Sequence, residues 1–171
     1  MRMNIMKNFS VVLLLGILLL TGFTVNSNKI APAIDKEKLL ERHNYYRSKL
    51  GIPSLEWSDE LANTAQIWAN KLANSCDLVH SSSGYGENIY WTSGSASEYE
   101  VVDSWASEKK YFNSRNRVYK RGSGRKTGHY TQIVWKNTTQ VGGAKQFCKH
   151  GGEIWVCNYD PPGNYIGQKA Y

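Results

Sequence analysis

Val141-Gly-Gly-Ala-Lys-Gln-Phe-Cys148 and Glu153-Ile-Trp-Val-Cys-Asn-Tyr159, with Lys149-His150-Gly151-Gly152 between them, decide the fold class of this chain. Both flanks are apolar enough for strands, and the four residues between them read as a turn, so the stretch is expected to form a hairpin. If residues 148 and 153 flank that turn, Cys157 faces Gly143 or Ala144 across the ladder.

Upstream the pattern changes to helical spacing. Asp35 can cap a helix running to about Leu50, with Leu39, Leu40, His43 and Tyr46 on its apolar side and Gly51 and Pro53 closing it. Ser58 opens a second helix whose stripe is Leu61, Ala65, Trp68 and Leu72, with Asp59 and Glu60 in the first turn. A third is expected from Ser97 to Asn113. Ser97 stands three residues before Glu100, as a capping box requires, and Val101, Trp105, Glu108 and Phe112 share one face. Glu108 therefore sits on a core-facing stripe, where a carboxylate must be paired, hydrogen-bonded or protonated unless the face is wide enough for it to reach water. Gly84 to Trp91 reads as either a strand or an extended loop. Early helices followed by late strands give an α+β protein, with helices packed on a small, mostly antiparallel sheet.

The N-terminus carries a different signal. Arg2 and Lys7 precede the apolar run Val11 to Leu20 and the small, polar stretch Thr21 to Asn28. This reads as a signal peptide over residues 1–27, with Val25 and Ser27 suited to positions three and one before the cut. The run is about half the roughly 20 apolar residues that cross a bilayer, so no membrane anchor is expected. Residues 28–34 form a short leader, and residues 35–171 form one domain. With 171 residues and 21 aromatics, the chain has enough buriable surface for a single core and is not a disordered type.

The net charge is +7, and removing residues 1–27 takes away two basic residues and no acidic one. Between Lys109 and Lys126 lie eight Lys and Arg with no Asp or Glu. Such a patch is either a solvated loop or a surface that attracts anionic lipid, cell-wall polymer or polysaccharide. No nucleic-acid recognition motif accompanies it, and nucleic acid is not expected as a partner.

Three stretches carry a family resemblance: His80-Ser-Ser-Ser-Gly-Tyr-Gly-Glu87-Asn88-Ile89, Gly128-His129-Tyr130-Thr131-Gln132-Ile133-Val134-Trp135, and Ile154-Trp-Val-Cys157-Asn158-Tyr159-Asp160-Pro161-Pro162-Gly163-Asn164. With His43-Asn44-Tyr-Tyr-Arg47 in the first helix, they resemble the CAP superfamily of cysteine-rich secretory, antigen 5 and pathogenesis-related 1 proteins, the plant pathogenesis-related 1 branch above all. The resemblance implies a three-layer α-β-α sandwich and a central cleft holding His80, Glu87, Glu108 and His129. It also implies that His80 and His129 can act as ligands of a divalent ion such as Zn²⁺, with the carboxylates orienting an imidazole or a bound water. His43 and His150 stand outside the motifs and are read as structural and turn residues.

Three cysteines allow three ways to form one bridge. Carried over from the family's usual six, the pattern implies a Cys76–Cys148 disulfide and a free Cys157, whose family partner position is here Gly143. The family's bridge in the loop before Gly128 is also missing, which implies a more mobile basic loop and a less stable domain.

For function, no Ser lies in a Gly-x-Ser-x-Gly elbow, and Cys157 falls in a strand, so no catalytic residue is assigned. The resemblance implies a secreted, extracellular, non-enzymatic binding protein, monomeric, acting on sterol or other lipid, on an anionic membrane or on a cell-wall surface through residues 109–126. Tyr90-Trp91 is an aromatic segment suited to such contacts. A metal-dependent hydrolase using the His/Glu cleft is the second reading. A precursor that releases a C-terminal peptide is the third, since Pro161 to Tyr171 resembles such peptides in plant relatives, with Ala170 in place of their usual Pro; a tail that simply closes the domain is favoured over it. Asn137-Thr138-Thr139 is a glycosylation sequon whose use depends on a eukaryotic secretory route.

Overall fold

The structure is a computed structural model that describes residues 33–120, 122 and 124–171; the expected signal peptide and residues 28–32 lie outside the described residues. Helix α1 (Lys36–Ser48) is capped by Asp35, whose carboxylate accepts from the Lys38 N–H at 3.1 Å. Helix α2 (Asp59–Leu72) is capped by Ser58, which accepts from the Leu61 N–H at 3.3 Å. Leu61, Ala65 and Leu72 are buried as expected, with Ala69 completing the stripe and Trp68 half-buried. Helix α3 (Glu98–Ala106) has the expected capping box, with Ser97 and Glu100 each accepting from the other's N–H.

The third helix does not run to Asn113. It stops at Ala106, and a tighter 3₁₀ turn, Ser107–Tyr111, follows. The Ser107 hydroxyl donates back to the Ser104 carbonyl at 2.7 Å, a local bond that competes with regular α-helix. Tertiary bonds from Glu108 and ring contacts of Phe112 with Tyr130 and Tyr171 then fix the segment. Helix α4 (Gly124–Ile133) was not expected from the sequence, because Gly124, Thr127, Gly128 and Thr131 are weak helix formers. Burial of Tyr130, Ile133 and the Thr131 side chain overrides that weakness.

The strands β1 (Glu56–Trp57), β2 (Gly86–Thr92), β3 (Gln140–Phe147) and β4 (Glu153–Asp160) form one sheet in the order β1-β3-β4-β2. Both β4 ladders are antiparallel and only the two-residue β1 runs parallel to β3, so the sheet is mostly antiparallel. The open segment from Gly84 to Trp91 is thus a strand from Gly86 onward. In the hairpin, Gly143 stands opposite Cys157, and the ladder closes at Phe147 opposite Glu153, one residue before the expected flank. Cys148 drops out because its N–H turns in to the Gly152 carbonyl at 3.0 Å.

Alternation along β4 sorts the core into two halves. Ile154 and Val156 meet Ala65, Ala69, Leu72 and Ala144 on the α2 side, while Trp155, Cys157 and Tyr159 meet residues of α1, α3 and α4 on the other. This is the α-β-α sandwich. A Cβ at Gly142 would overlap the backbone of Ser58 and Ala62, so the absence of a side chain lets the first turn of α2 lie directly on β3. The Cys76–Cys148 disulfide ties the end of α2 to the end of the hairpin, and Cys157 is free and fully buried.

Candidate functional site

Two His–Glu pairs face one cleft. On the first side, β2 starts at Gly86 and presents Glu87, whose side chain is almost wholly buried. Its carboxylate accepts from His80 Nδ1 at 2.7 Å, from the Ser81 N–H at 2.9 Å and from the Ser81 hydroxyl at 2.6 Å. Burial pushes Glu87 up, but the hydrogen bonds from His80 and Ser81 outweigh it and leave the acid below its ordinary value. His80 itself remains 61% exposed.

On the second side, the 3₁₀ turn carries Glu108 and α4 carries His129. Glu108 accepts from His129 Nδ1 at 2.8 Å, from the His129 N–H at 2.9 Å and from the Tyr130 N–H at 3.2 Å. The Glu108 carboxylate, half-buried, is therefore hydrogen-bonded on both oxygens. The His129 ring stacks on Trp105 with centroids 6.1 Å apart. Behind it, Asn88 Nδ2 donates to the His129 carbonyl at 3.2 Å and to the Tyr159 hydroxyl at 3.1 Å. Tyr159 in turn contacts His43 Nε2 at 2.9 Å, while His43 Nδ1 meets the Leu39 carbonyl at 2.8 Å. Since a carbonyl only accepts, Nδ1 carries the proton and Tyr159 donates to Nε2. His43 is structural, as read from the sequence, and His150 lies in the hairpin turn.

The cleft has a volume of about 590 Å³ and is lined by all four expected residues together with Asn88, Tyr119, Gly122, Gly124, Gly128 and Asn164. Asn88 and Asn164 stand inside the quoted motifs, yet neither titrates, and a search for acid–base chemistry passes over them. Asn164 accepts from the Thr131 hydroxyl at 2.6 Å and donates to the Gly128 carbonyl at 2.9 Å, locking the tail onto α4. Tyr119 belongs to the basic segment, so that segment forms one wall of the cleft.

With a carboxylate on each Nδ1, both imidazoles carry the proton there and turn Nε2 into the available electron pair, an arrangement that suits histidines as metal ligands. Among the described residues, no three His, Cys, Asp or Glu side chains gather closely enough to hold a metal ion. His80 and His129 are the two imidazoles that face the cleft. Cys157 is no nucleophile: it is fully buried opposite Gly143, and burial pushes its thiol far up.

A second, more apolar recess of about 470 Å³ opens beside the disulfide, lined by Leu78, Trp91, Cys76, Cys148 and His150 among others. Leu78 and Trp91 are 61% and 44% exposed at its edge. Tyr90, by contrast, is half-buried against the core.

The tail is built into the fold. Tyr119 N–H donates to the Gln168 carbonyl and Gly167 N–H to the Tyr119 carbonyl, both at 2.9 Å, and Val118 bridges Lys169. Ala170, fully buried, donates to the Arg117 carbonyl at 2.9 Å and accepts from the Lys136 N–H at 2.6 Å.

The sequence model of the cysteine-rich secretory protein family (CAP) matches residues 40–159. Pathogenesis-related protein 1C of Nicotiana tabacum is 40% identical over 150 residues, covering 87% of this chain and 88% of that protein. Pathogenesis-related protein PR-1 of Medicago truncatula is 42% identical over 141 residues, covering 80% and 79%. Among solved structures, that of NaASP2 with Zn²⁺ superposes with a TM-score of 0.71 at 27% identity over 79% of this chain and 83% of the other. With its sandwich, its motifs and these relatives in agreement, the chain belongs to the cysteine-rich secretory protein (CAP) family and is pathogenesis-related 1-like.

Proposed function

We propose that this chain is a secreted, extracellular binding protein of the pathogenesis-related 1 type. It acts on lipid, sterol, membrane or cell-surface targets, in defence or host interaction. The observation that carries the reading is the state of the cleft carboxylates. Glu87 and Glu108 each accept hydrogen bonds from their own His and from neighbouring groups, so each is committed to orienting an imidazole rather than to taking a proton from water. A cleft so arranged holds a ligand better than it hydrolyses one. The apolar recess at Leu78 and Trp91 supports lipid as a target, and the basic segment along the cleft supports an anionic surface.

With two imidazoles as its protein donors, a divalent ion would serve as a ligand-bridging element. His80 and His129 would hold it through Nε2, and Glu87 and Glu108 would fix the two rings. Bound there, the ion would supply a positive centre for an anionic ligand. NaASP2, similar in fold, has been solved with Zn²⁺.

Two titrations test the proposal. Zn²⁺ calorimetry on the protein from Asn28 onward should give saturable binding that disappears in His80→Ala plus His129→Ala; no binding in the unaltered protein removes the metal from the reading. A fluorescent sterol should bind saturably, and more weakly to Trp91→Ala. No saturable sterol binding at micromolar protein removes that lipid and directs attention to anionic surfaces.

A further inference from the structure

The turn between α4 and β3 carries the sequon Asn137-Thr138-Thr139, and its construction singles out one side chain. Arg47, fully buried, reaches from α1 and donates to the carbonyls of Ile133 at 3.0 Å, Trp135 at 2.8 Å and Thr138 at 2.9 Å. Lys136 N–H is held by the Ala170 carbonyl at 2.6 Å. Thr138 is 1% exposed, accepting from Gln132 Nε2 and donating to the Pro161 carbonyl. The turn is thus clamped from within on both sides of Asn137, while Asn137 and the hydroxyl-bearing Thr139 are exposed at its surface.

We infer that Asn137 is an N-glycosylation site, a reading that rests on the proposed export of the chain. The requirements are an Asn with a hydroxyl residue two positions on, no intervening Pro and a surface location in a secreted protein, and the turn meets the sequence and exposure requirements together. The co-reactant is an oligosaccharide carried on a lipid pyrophosphate. The Asn137 side-chain nitrogen bonds to the anomeric carbon of the first sugar, the bond from that carbon to the phosphate oxygen breaks, and the lipid pyrophosphate leaves while the amide gives up one proton. No oxidant or reductant enters. Asn137 does not line the cleft, so the glycan leaves the His–Glu pairs accessible. The relatives from Nicotiana and Medicago are plant proteins, which places the eukaryotic glycosylation route within reach of the family.

The test is translation of the full chain in the presence of endoplasmic-reticulum microsomes, followed by protease treatment and a peptide N-glycosidase. The expected result is a protease-protected chain whose mobility increases on deglycosylation, with the residue-137 amide converted to a carboxyl in the released peptide. Asn137→Gln and Thr139→Ala should abolish the shift, and Thr139→Ser, which keeps the sequon, should retain it. A protected but unmodified chain overturns the glycosylation site and leaves export standing. A chain left outside the microsomes overturns export and the site with it.

Discussion

Gly143 is where this chain departs most visibly from a six-cysteine framework. A Cβ built there lies 2.8 Å from Cys157 Sγ and 3.1 Å from the tip of the buried Leu39, so a cysteine at this position would meet the free thiol directly, with the Leu39 methyl giving way by a few tenths of an ångström. Gly143→Cys should therefore oxidise spontaneously during folding. The closed loop spans about 15 residues, for which chain-entropy arguments give about 3 kcal/mol. Thiol counting on the unfolded protein should fall to zero and the urea midpoint should rise; a retained free thiol would mean that the ladder holds the two Cβ atoms in the wrong orientation. Arg47 makes the complementary point. Its guanidinium also reaches the Pro53 carbonyl at 2.7 Å, and it donates to several main-chain carbonyls of the α4–β3 turn. Arg47→Lys keeps the charge but not the planar fork, so several of those buried carbonyls lose a donor at roughly 1–3 kcal/mol apiece. A loss of several kcal/mol in chemical denaturation is expected, and a loss under 1 kcal/mol would show that water replaces the guanidinium.

Between elements, the C-terminal tail holds the segment before α4 in place. The segment before α4 lacks the bridge that the family resemblance implies, and the C-terminal residues fasten it instead, through Gly167, Gln168 and Ala170 to Arg117 and Tyr119. Because Tyr119 lines the cleft, the tail also sets one cleft wall. Truncation after Asn164 should raise amide hydrogen exchange at residues 117–119 to the rate of an open loop while the β3–β4 hairpin stays protected. Unchanged exchange at Tyr119 would show that the loop holds itself. This is also where legibility in the sequence fails. The caps Asp35, Ser58 and Ser97 and the hairpin are local patterns and were readable, and the turn count narrowed the residue facing Cys157 to Gly143 or Ala144, of which the ladder has Gly143. The 3₁₀ turn at Glu108, helix α4 and the tail bridge were not readable, because each is stabilised by partners far along the chain against weak local propensity. Of the cleft, His80, Glu87 and His129 were readable from motifs and Glu108 from its helical stripe and the family resemblance, whereas Asn88, Tyr119 and Asn164 stood in no acid–base pattern that advertised their place.

For the whole molecule, the core on the α1, α3 and α4 side is organised around a buried neutral imidazole, and that sets how the protein meets acid. His43 is wholly enclosed. Burial, aided by the charge of Arg47 and opposed by the hydrogen bond to Leu39, pulls it down to about 4 from its ordinary 6.5. Above pH 6.5 the group is neutral in both folded and unfolded chains and contributes no pH dependence. Between pH 6.5 and 4 the unfolded chain takes up a proton that the folded chain refuses, so stability falls as pH falls, by about 2 kcal/mol at pH 5 and about 3 kcal/mol at pH 4. Glu87, held below its ordinary value, acts in the same direction at lower pH, because its hydrogen bonds stabilise the folded chain only while it is ionised. Urea denaturation at pH 7, 6, 5 and 4 should show the midpoint dropping most steeply between pH 6 and 4. His43→Gln, which keeps polar atoms in the Leu39–Tyr159 gap but cannot titrate, should start from a lower midpoint and follow a flatter course over the same range. An equal slope in that variant would place the acid sensitivity in other groups, and the buried imidazole would then be a packing group with no part in the pH response.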